Sequence, residues 1–568
     1  MHKKLLPALA SLFALSACAT LEAPPAPAAL QPAGVVSAAD PRASEAGAAM
    51  LRQGGSATDA AIATMLALTV VEPQSSGIGG GGFYVRGDDT GEVETIDGRE
   101  TAPAAATPAW FLDEDGNTLP FREAVLTGLS IGVPGNIRLS AEAHAKYGKL
   151  DWAALFQPAI DLARDGWEIT PRFRDFLERA KTRAAATEAG RALFFDTAGE
   201  PLPVGTVVTN PALADTLEMI AKAGPEAFYT GDWAEGMAET VAAATPGEAG
   251  MTPSDIASYS AVWRPSPCGE YRTYRICGMG PPSSGATTVY AILKQLEGYD
   301  LAALGPESPT FWHLFAESQR LAYADRALYL GDADFVSVPM AGLMDGEYLR
   351  ARGALISATE TMAAPSAGTP PGADLARAVG EGPVENGTSH FVVVDGAGDA
   401  VSWTSTVEGP FGSGQIYGGF YLNNELTDFS FLPARDGKSV ANRVEGGKRP
   451  LSSMSPSVVF DRNGRLVLAI GAAGGVTIPV QVAKALIGVL DFGLPAEQAI
   501  GLPGLFSPGD AIFVEEGTAL TAMQAPLEAL GHTVSSRQMP FKANAAQLVD
   551  GEWVGAADPR SEGSAAYP

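Results

Sequence analysis

The sequence predicts an α+β fold, a sandwich of sheets covered by helices on the outside, and three observations carry that expectation. Helical periodicity dominates the chain before about Asp332, a block of short strands begins at Thr388, and helical patterns return after Gly475. Helices on both sides of a strand block are what sheets sandwiched between helical layers require. With 568 residues, 46% of them apolar, the chain has ample material for a large core.

The first element is MHKKLLPALASLFALSAC: a basic start, an apolar stretch from Leu5 to Leu15, then small residues. That is the pattern of an export signal and is too short to span a bilayer. Leu15-Ser16-Ala17-Cys18 resembles a bacterial lipoprotein box, so residues 1–17 are expected to be removed and Cys18 lipidated. Residues 18–34, rich in Pro and Ala, then form an extended tether. The expected location is the periplasm, with the membrane engaged through the lipid alone.

In GGSATDAAIATMLALTVVEP, Ser56 caps a helix, Asp59 completes a capping box, and the apolar run stops before Pro73. DWAALFQPAIDLARDG, NPALADTLEMIAKAG and SPTFWHLFAESQRLAYADRALYLGD follow as helices, and MTPSDIASY has Thr252 as a cap with Pro253 in the first turn. FYVRG and EVETIDGRE are early strands. From Thr388, HFVVVD, AVSWTST, GFYLNNE, SVVFD and RLVLAIGA read as strands, with Asn463-Gly464 as a hairpin turn. TIPVQVAKALIGVLDFG and TALTAMQAPLEALG are the closing helices.

A net charge of −27 and a pI near 4.6 argue against nucleic acid as a partner, because phosphate binding needs a basic face. The five histidines are scattered and no Cys/His set has zinc-like spacing, so no metal is expected. Cys268 and Cys277 flank the alternating segment GEYRTYRI; in an oxidising compartment they are either a local disulfide or two nearby thiols.

Three motif matches fail on context. GIGGGGF (Gly77 to Phe83) fits GxGxxG but follows a helix and precedes a strand, the reverse of a dinucleotide site. GLSIG (Gly128 to Gly132) fits a nucleophile elbow, yet Val-Pro-Gly behind it spoils the helix an elbow needs. Asn386-Gly387-Thr388 is a glycosylation sequon, of little weight behind a bacterial-type signal.

TSHFVVVDGAGDAVSWTST is a hairpin turning at DGAGD. A symmetric register pairs Val394 with Ala400, Val392 with Ser402, His390 with Thr404 and Thr388 with Thr406, all on one face, with Glu408 following on that side. Two facing threonines alone are an ordinary cross-strand pair. Cleavage after Gly387, however, would give Thr388 a hydroxyl and a free α-amine on adjacent carbons. An unperturbed α-amine titrates near pH 8 and can accept the hydroxyl proton.

With EPQSSGIGGGGF, DGRETAP, GPPSSGA, LAYADRALYLGD, GTSHF, LNNELTDFS, KRPLSSMSP, GAAGG and GAADPR, the chain resembles the γ-glutamyltranspeptidases from about Gly34 to Arg560. The resemblance implies a four-layer αββα N-terminal-nucleophile hydrolase. It also implies self-cleavage between Gly387 and Thr388 into a large subunit (35–387) and a small one (388–568), which together form one unit. Carried onto this chain, Thr388 is nucleophile and base, Thr406 orients it, and Gly474 and Gly475 supply oxyanion donors. Arg99, assisted by Ser452 and Ser453, grips the substrate α-carboxylate, and Glu408, Glu425 and Asp428 hold its α-ammonium. Glutathione or another γ-glutamyl compound would be the donor, amino acids or peptides the acceptors, and no cofactor is needed. Residues between Asp428 and Arg449 include no Tyr or Trp, so no aromatic lid is expected. The rivals are a glutaryl- or cephalosporin-type acylase on the same scaffold and an inactive lipid-anchored binding protein.

Overall fold

In the computed structural model, which describes residues 1–2, 34–247, 250–380 and 387–568, helices and strands follow one another in a consistent order. Strand β1 (Val35–Ala38) leads to helices α1 (Pro41–Arg52) and α2 (Ala57–Val71), then to β2 (Gly81–Gly87) and β3 (Val93–Gly98). Helices α3 (Asn136–Tyr147) and α4 (Pro171–Arg179) precede β4 (Val262–Arg264), β5 (Cys268–Tyr271) and β6 (Tyr274–Gly278). After α5 (Gly285–Leu296) and α6 (Pro309–Tyr329) come β7 (Gly387–Val394), β8 (Ala400–Glu408), β9 (Ser457–Phe460) and β10 (Leu466–Ala473). The chain ends with α7 (Ile478–Leu490), β11 (Lys542–Val549), β12 (Glu552–Ala557) and β13 (Ser564–Ala566). Residues 1–31 and 32–568 are separate units, and the signal, Cys18 and tether expectations fall outside the described residues, as does Asn386.

The strands form two main sheets, β13-β1-β7-β8-β2-β3-β4 and β12-β11-β10-β9-β6-β5. Their faces meet where β7 packs on β10 and β11. Helices α1, α2 and α3 cover the first sheet; α5 and α7 cover the second, with α6 against α5. These are the four αββα layers of the N-terminal-nucleophile hydrolases.

Period-two alternation assigns the faces. Phe391, Val393, Val401 and Trp403 share one core with Ile62 and Leu66 of α2, whereas Val392, Val394 and Ala400 share another with Val458 and Ile470 of the second sheet. The even-numbered face of the β7–β8 hairpin therefore points into the seam between the sheets. Helix α2 is buried all round, which suits its apolar sequence, and Ser56 and Asp59 form the expected reciprocal cap.

Two expected elements are different. GFYLNNE pairs only at Phe420–Tyr421 and then turns into the 3₁₀ segment Glu425–Asp428, because Asn423 and Asn424 bond across to the Gly79 carbonyl and the Gly409 amide. TALTAMQAPLEALG divides into Ala519–Ala522 and Gln524–Ala529; Pro526 cannot donate to the carbonyl four residues back. A disulfide joins Cys268 and Cys277, which sit directly opposite each other on β5 and β6.

Candidate active site

The β7–β8 hairpin has the expected register at Val394–Ala400, Val392–Ser402 and His390–Thr404. The register then shifts, so that Gly387 lies opposite Glu408 rather than Val407. This bulge at the strand head corrects the strictly symmetric pairing, yet the two threonine hydroxyls still lie 3.4 Å apart. Thr388 Oγ1 is 2.5 Å from the Gly387 carbonyl oxygen, and Thr406 Oγ1 donates to that same oxygen at 2.8 Å. Thr406 in turn accepts from the Glu408 amide at 2.7 Å. Glu408 has φ +74, a left-handed conformation unusual for a non-glycine residue, at the point where the strand register shifts.

The glycines of GIGGGGF seat Thr406 from the other side. A Cβ on Gly80 would lie 1.9 Å from the Thr406 carbonyl oxygen, so only glycine permits the approach. Gly474, just past the end of β10, has φ +125, and a Cβ there would lie 2.4 Å from the Pro540 carbonyl oxygen. Thr388 and Gly474 both line an open cavity of about 790 Å³.

Arg99, Glu425 and Asp428 meet in a buried cluster. The Arg99 guanidinium bonds both carboxylates, and it also donates to the carbonyls of Pro450 at 3.2 Å and Leu451 at 3.1 Å. Glu100 stands 4.0 Å from the same guanidinium, and Glu408 accepts from the Asn424 amide. Burial pushes the carboxyls of Glu100 and Glu408 each up to about 8 and that of Glu425 well above its ordinary value. Arg99 is thus occupied by protein carboxylates, because a buried guanidinium left unpaired would be costly. Ser452 Oγ accepts from the Met454 amide at 3.2 Å, and Ser453 Oγ from Arg326 at 2.8 Å. Neither these serines nor Arg99, Glu408, Glu425 and Asp428 line the open cavity. The expected site residues therefore fall in two places, Thr388 and Gly474 on the cavity wall and a buried ionic cluster around Arg99 outside its lining.

None of residues 429–448 lines that cavity. Phe431 is instead stacked on Phe111, with ring centres 4.2 Å apart, which leaves the cavity without an aromatic cover from this segment.

The profile of the gamma-glutamyltranspeptidase family matches residues 43–567. The chain belongs to this family. The glutathione hydrolase proenzyme of Bacillus subtilis (strain 168) is 36% identical over 545 residues, which is 94% of this chain and 91% of that one. The acylase ACY 1 proenzyme of Pseudomonas sp. (strain V22) is 35% identical over 545 residues, 94% and 93% of the two chains. Among solved structures, the cephalosporin acylase of Bacillus halodurans superposes with a TM-score of 0.83 at 26% identity, covering 96% of this chain and 98% of that one.

One charged group beside Thr388 escaped the sequence reading. Lys542, at the head of β11, lines the cavity with Thr388 and bonds Glu72 at 2.9 Å. Glu72 also accepts from the hydroxyl of Ser389, the neighbour of Thr388. Burial raises the Glu72 carboxyl, but Lys542, Arg172 and the Ser389 hydroxyl outweigh it and hold the group below its ordinary range. The available signal was a single charge in each of two apolar or small-residue runs, TVVEP and PFKANAA.

Proposed function

We propose that the protein is a self-processing γ-glutamyltransferase and hydrolase acting on glutathione or related γ-glutamyl amides. The observation that carries this is the Thr388 hydroxyl beside the Gly387 carbonyl, whose oxygen Thr406 already bonds. In the precursor, Thr388 Oγ1 attacks the Gly387 carbonyl carbon and Thr406 stabilises the charge growing on its oxygen. The peptide C–N bond breaks, the Thr388 nitrogen gains a proton, and water hydrolyses the resulting ester. A large subunit ending at Gly387 and a small one beginning at Thr388 are the products.

In the mature enzyme the α-amine of Thr388 takes the proton of its own hydroxyl as Oγ1 attacks the γ-carbonyl of the donor. Backbone N–H groups of Gly474 and Gly475 receive the oxyanion. The amide C–N bond then breaks, the leaving amine takes the proton, and a γ-glutamyl ester remains on Thr388. Water releases glutamate; an amino acid or peptide amine takes the acyl group instead when it arrives first. The donor α-carboxylate replaces a protein carboxylate on Arg99, with Ser452 and Ser453 beside it, and Glu408, Glu425 and Asp428 receive the α-ammonium. A glutaryl group has no ammonium to place there, so γ-glutamyl anilide should turn over faster than glutaryl anilide.

The N-terminal pattern supports export to the periplasm and lipidation at Cys18, and a Cys18→Ala variant should leave the membrane fraction. N-terminal sequencing of the smaller fragment tests the central claim. It should begin Thr-Ser-His-Phe and contain 181 residues. Thr388→Ala should give one uncleaved, inactive chain; an active uncleaved enzyme would refute the mechanism.

A further inference from the structure

The cavity that reaches Thr388 and Gly474 is basic in a protein whose net charge is −27. Six cationic side chains line it against one carboxylate, Asp175. Three of the six are balanced: Arg179 by Asp175, Lys542 by Glu72, and Arg560 by Glu515 and Asp558. The guanidinium groups of Arg122, Arg172 and Arg183 form no ion pair within 4 Å among the described residues, although the Arg172 backbone amide donates to the Glu562 carboxylate at 3.1 Å.

Arg172 opens α4, and its guanidinium is half-buried. It reaches the Arg560 carbonyl only at 3.5 Å, and its Nε is buried with no hydrogen-bond partner. Arg183, one helical turn beyond α4, lies against Gly409, where an added Cβ would come within 2.1 Å of its Nη1. Its Nη1 donates to the Gly412 carbonyl at 3.4 Å. Burial pulls this guanidinium below the ordinary arginine value, and the Glu408 carboxylate offsets only part of that. Desolvated guanidinium groups facing a cavity are suited to carboxylates, which they can bind through two parallel N–H bonds.

The location says which part of a substrate they meet. The ionic cluster assigned to the glutamyl end lies outside the cavity lining, whereas Arg122, Arg172 and Arg183 stand on its wall, with Thr388 on the same surface. A γ-glutamyl donor bound with its amino-acid end in the cluster extends everything beyond the γ-amide into the basic space. We propose that Arg122, Arg172 and Arg183 form the subsite for the leaving amine and select amines that carry carboxylates, above all acidic peptides. This rests on the γ-glutamyl hydrolase reading and adds the substrate class on the far side of the scissile bond.

A matched pair of donors tests it: γ-glutamyl-4-nitroanilide and γ-glutamyl-3-carboxy-4-nitroanilide differ by one carboxylate on the leaving amine. The expected kcat/KM favours the carboxylated donor by about tenfold at low ionic strength, the scale of one charge-assisted hydrogen bond. That preference should shrink in 0.5 M NaCl, roughly a concentration that screens exposed charge over a few ångströms. Arg172→Gln combined with Arg183→Gln should bring the ratio near one, and the exposed Arg122→Gln should lower it part of the way. A ratio near one in the wild-type enzyme at every salt concentration overturns the proposal, whether or not the variants fold. So does an equal loss on both donors in the variants, since that would place the arginines at the glutamyl end. Turnover of neither donor by correctly cleaved wild-type enzyme refutes instead the hydrolase reading beneath it.

Discussion

At the residue scale, the proposed role of Glu408 in holding the donor α-ammonium predicts a pH dependence that differs from that of an ordinary carboxylate. Burial raises its carboxyl to about 8, so it is largely neutral at pH 6 and ionises as the pH approaches 8. An ammonium binds the ionised form, so donor affinity should rise between pH 6 and 8. Above that it should level off, and fall only where the ligand's own α-amine loses its proton. Competitive inhibition by L-glutamate reads this without the acyl-transfer step: its Ki should drop by up to about tenfold per pH unit over the rising limb. Glu408→Gln should flatten that limb, and a wild-type Ki that is level from pH 6 to 8 would contradict the assignment. Thr406 makes a second case. Thr406→Val removes the donor to the Gly387 carbonyl and should slow self-cleavage by about 10²–10³-fold, as loss of an oxyanion donor does elsewhere, whereas Thr406→Ser should retain most of the rate. A gel time course of the purified precursor distinguishes them. Both threonines were legible in the sequence because side-chain period and turn position together fix a hairpin register. The pairing of Arg99 with Glu425 and Asp428 was not, since it joins positions 326 and 329 residues apart and depends on burial that no local pattern reports.

At the element scale, long, strongly periodic segments could be read directly: α2, α6 and the β7–β8 hairpin lie where their patterns place them. The strand pair β11–β12 could not, because KANAAQLV is built of small residues and shows no clear alternation; its partner β10 makes it a strand. That strand carries Lys542 to the cavity that Thr388 lines, its register placing Lys542 opposite Ala473, next to Gly474. The ion pair to Glu72 ties β11 to the end of α2 across the reactive strand. Breaking one partner of a buried pair costs about 3–5 kcal/mol, since the remaining charge is left without compensation. Lys542→Met should therefore lower stability by roughly that amount, and Lys542→Met with Glu72→Met should recover part of it. Urea unfolding of both variants on the Thr388→Ala background separates this stability effect from processing. A double variant less stable than the single one would show that the pair is not coupled as described.

For the whole molecule, the position of the proposed cleavage junction predicts how the fragments behave. Cutting before Thr388 leaves β1 to β6 in one chain and nearly all of β7, with β8 to β13, in the other, yet these strands are interleaved. Pairings β13–β1, β1–β7, β8–β2 and β9–β6 all cross between the chains, and the seam between the sheets is packed from both. The fragments cannot separate without dismantling both cores, so cleavage should leave the fold intact. The disulfide lies on the large-fragment side, and reduction should not part the two chains. Unfolding, by contrast, should change its molecularity. The Thr388→Ala precursor unfolds as one chain, with a midpoint independent of protein concentration, whereas the cleaved enzyme unfolds into two chains, and mass action should raise its midpoint with concentration. Gel filtration in native buffer with reductant should return both fragments in one peak. Their separation under those conditions would mean that the interleaved sheets do not survive cleavage, and that the precursor's strand order is not that of the active enzyme.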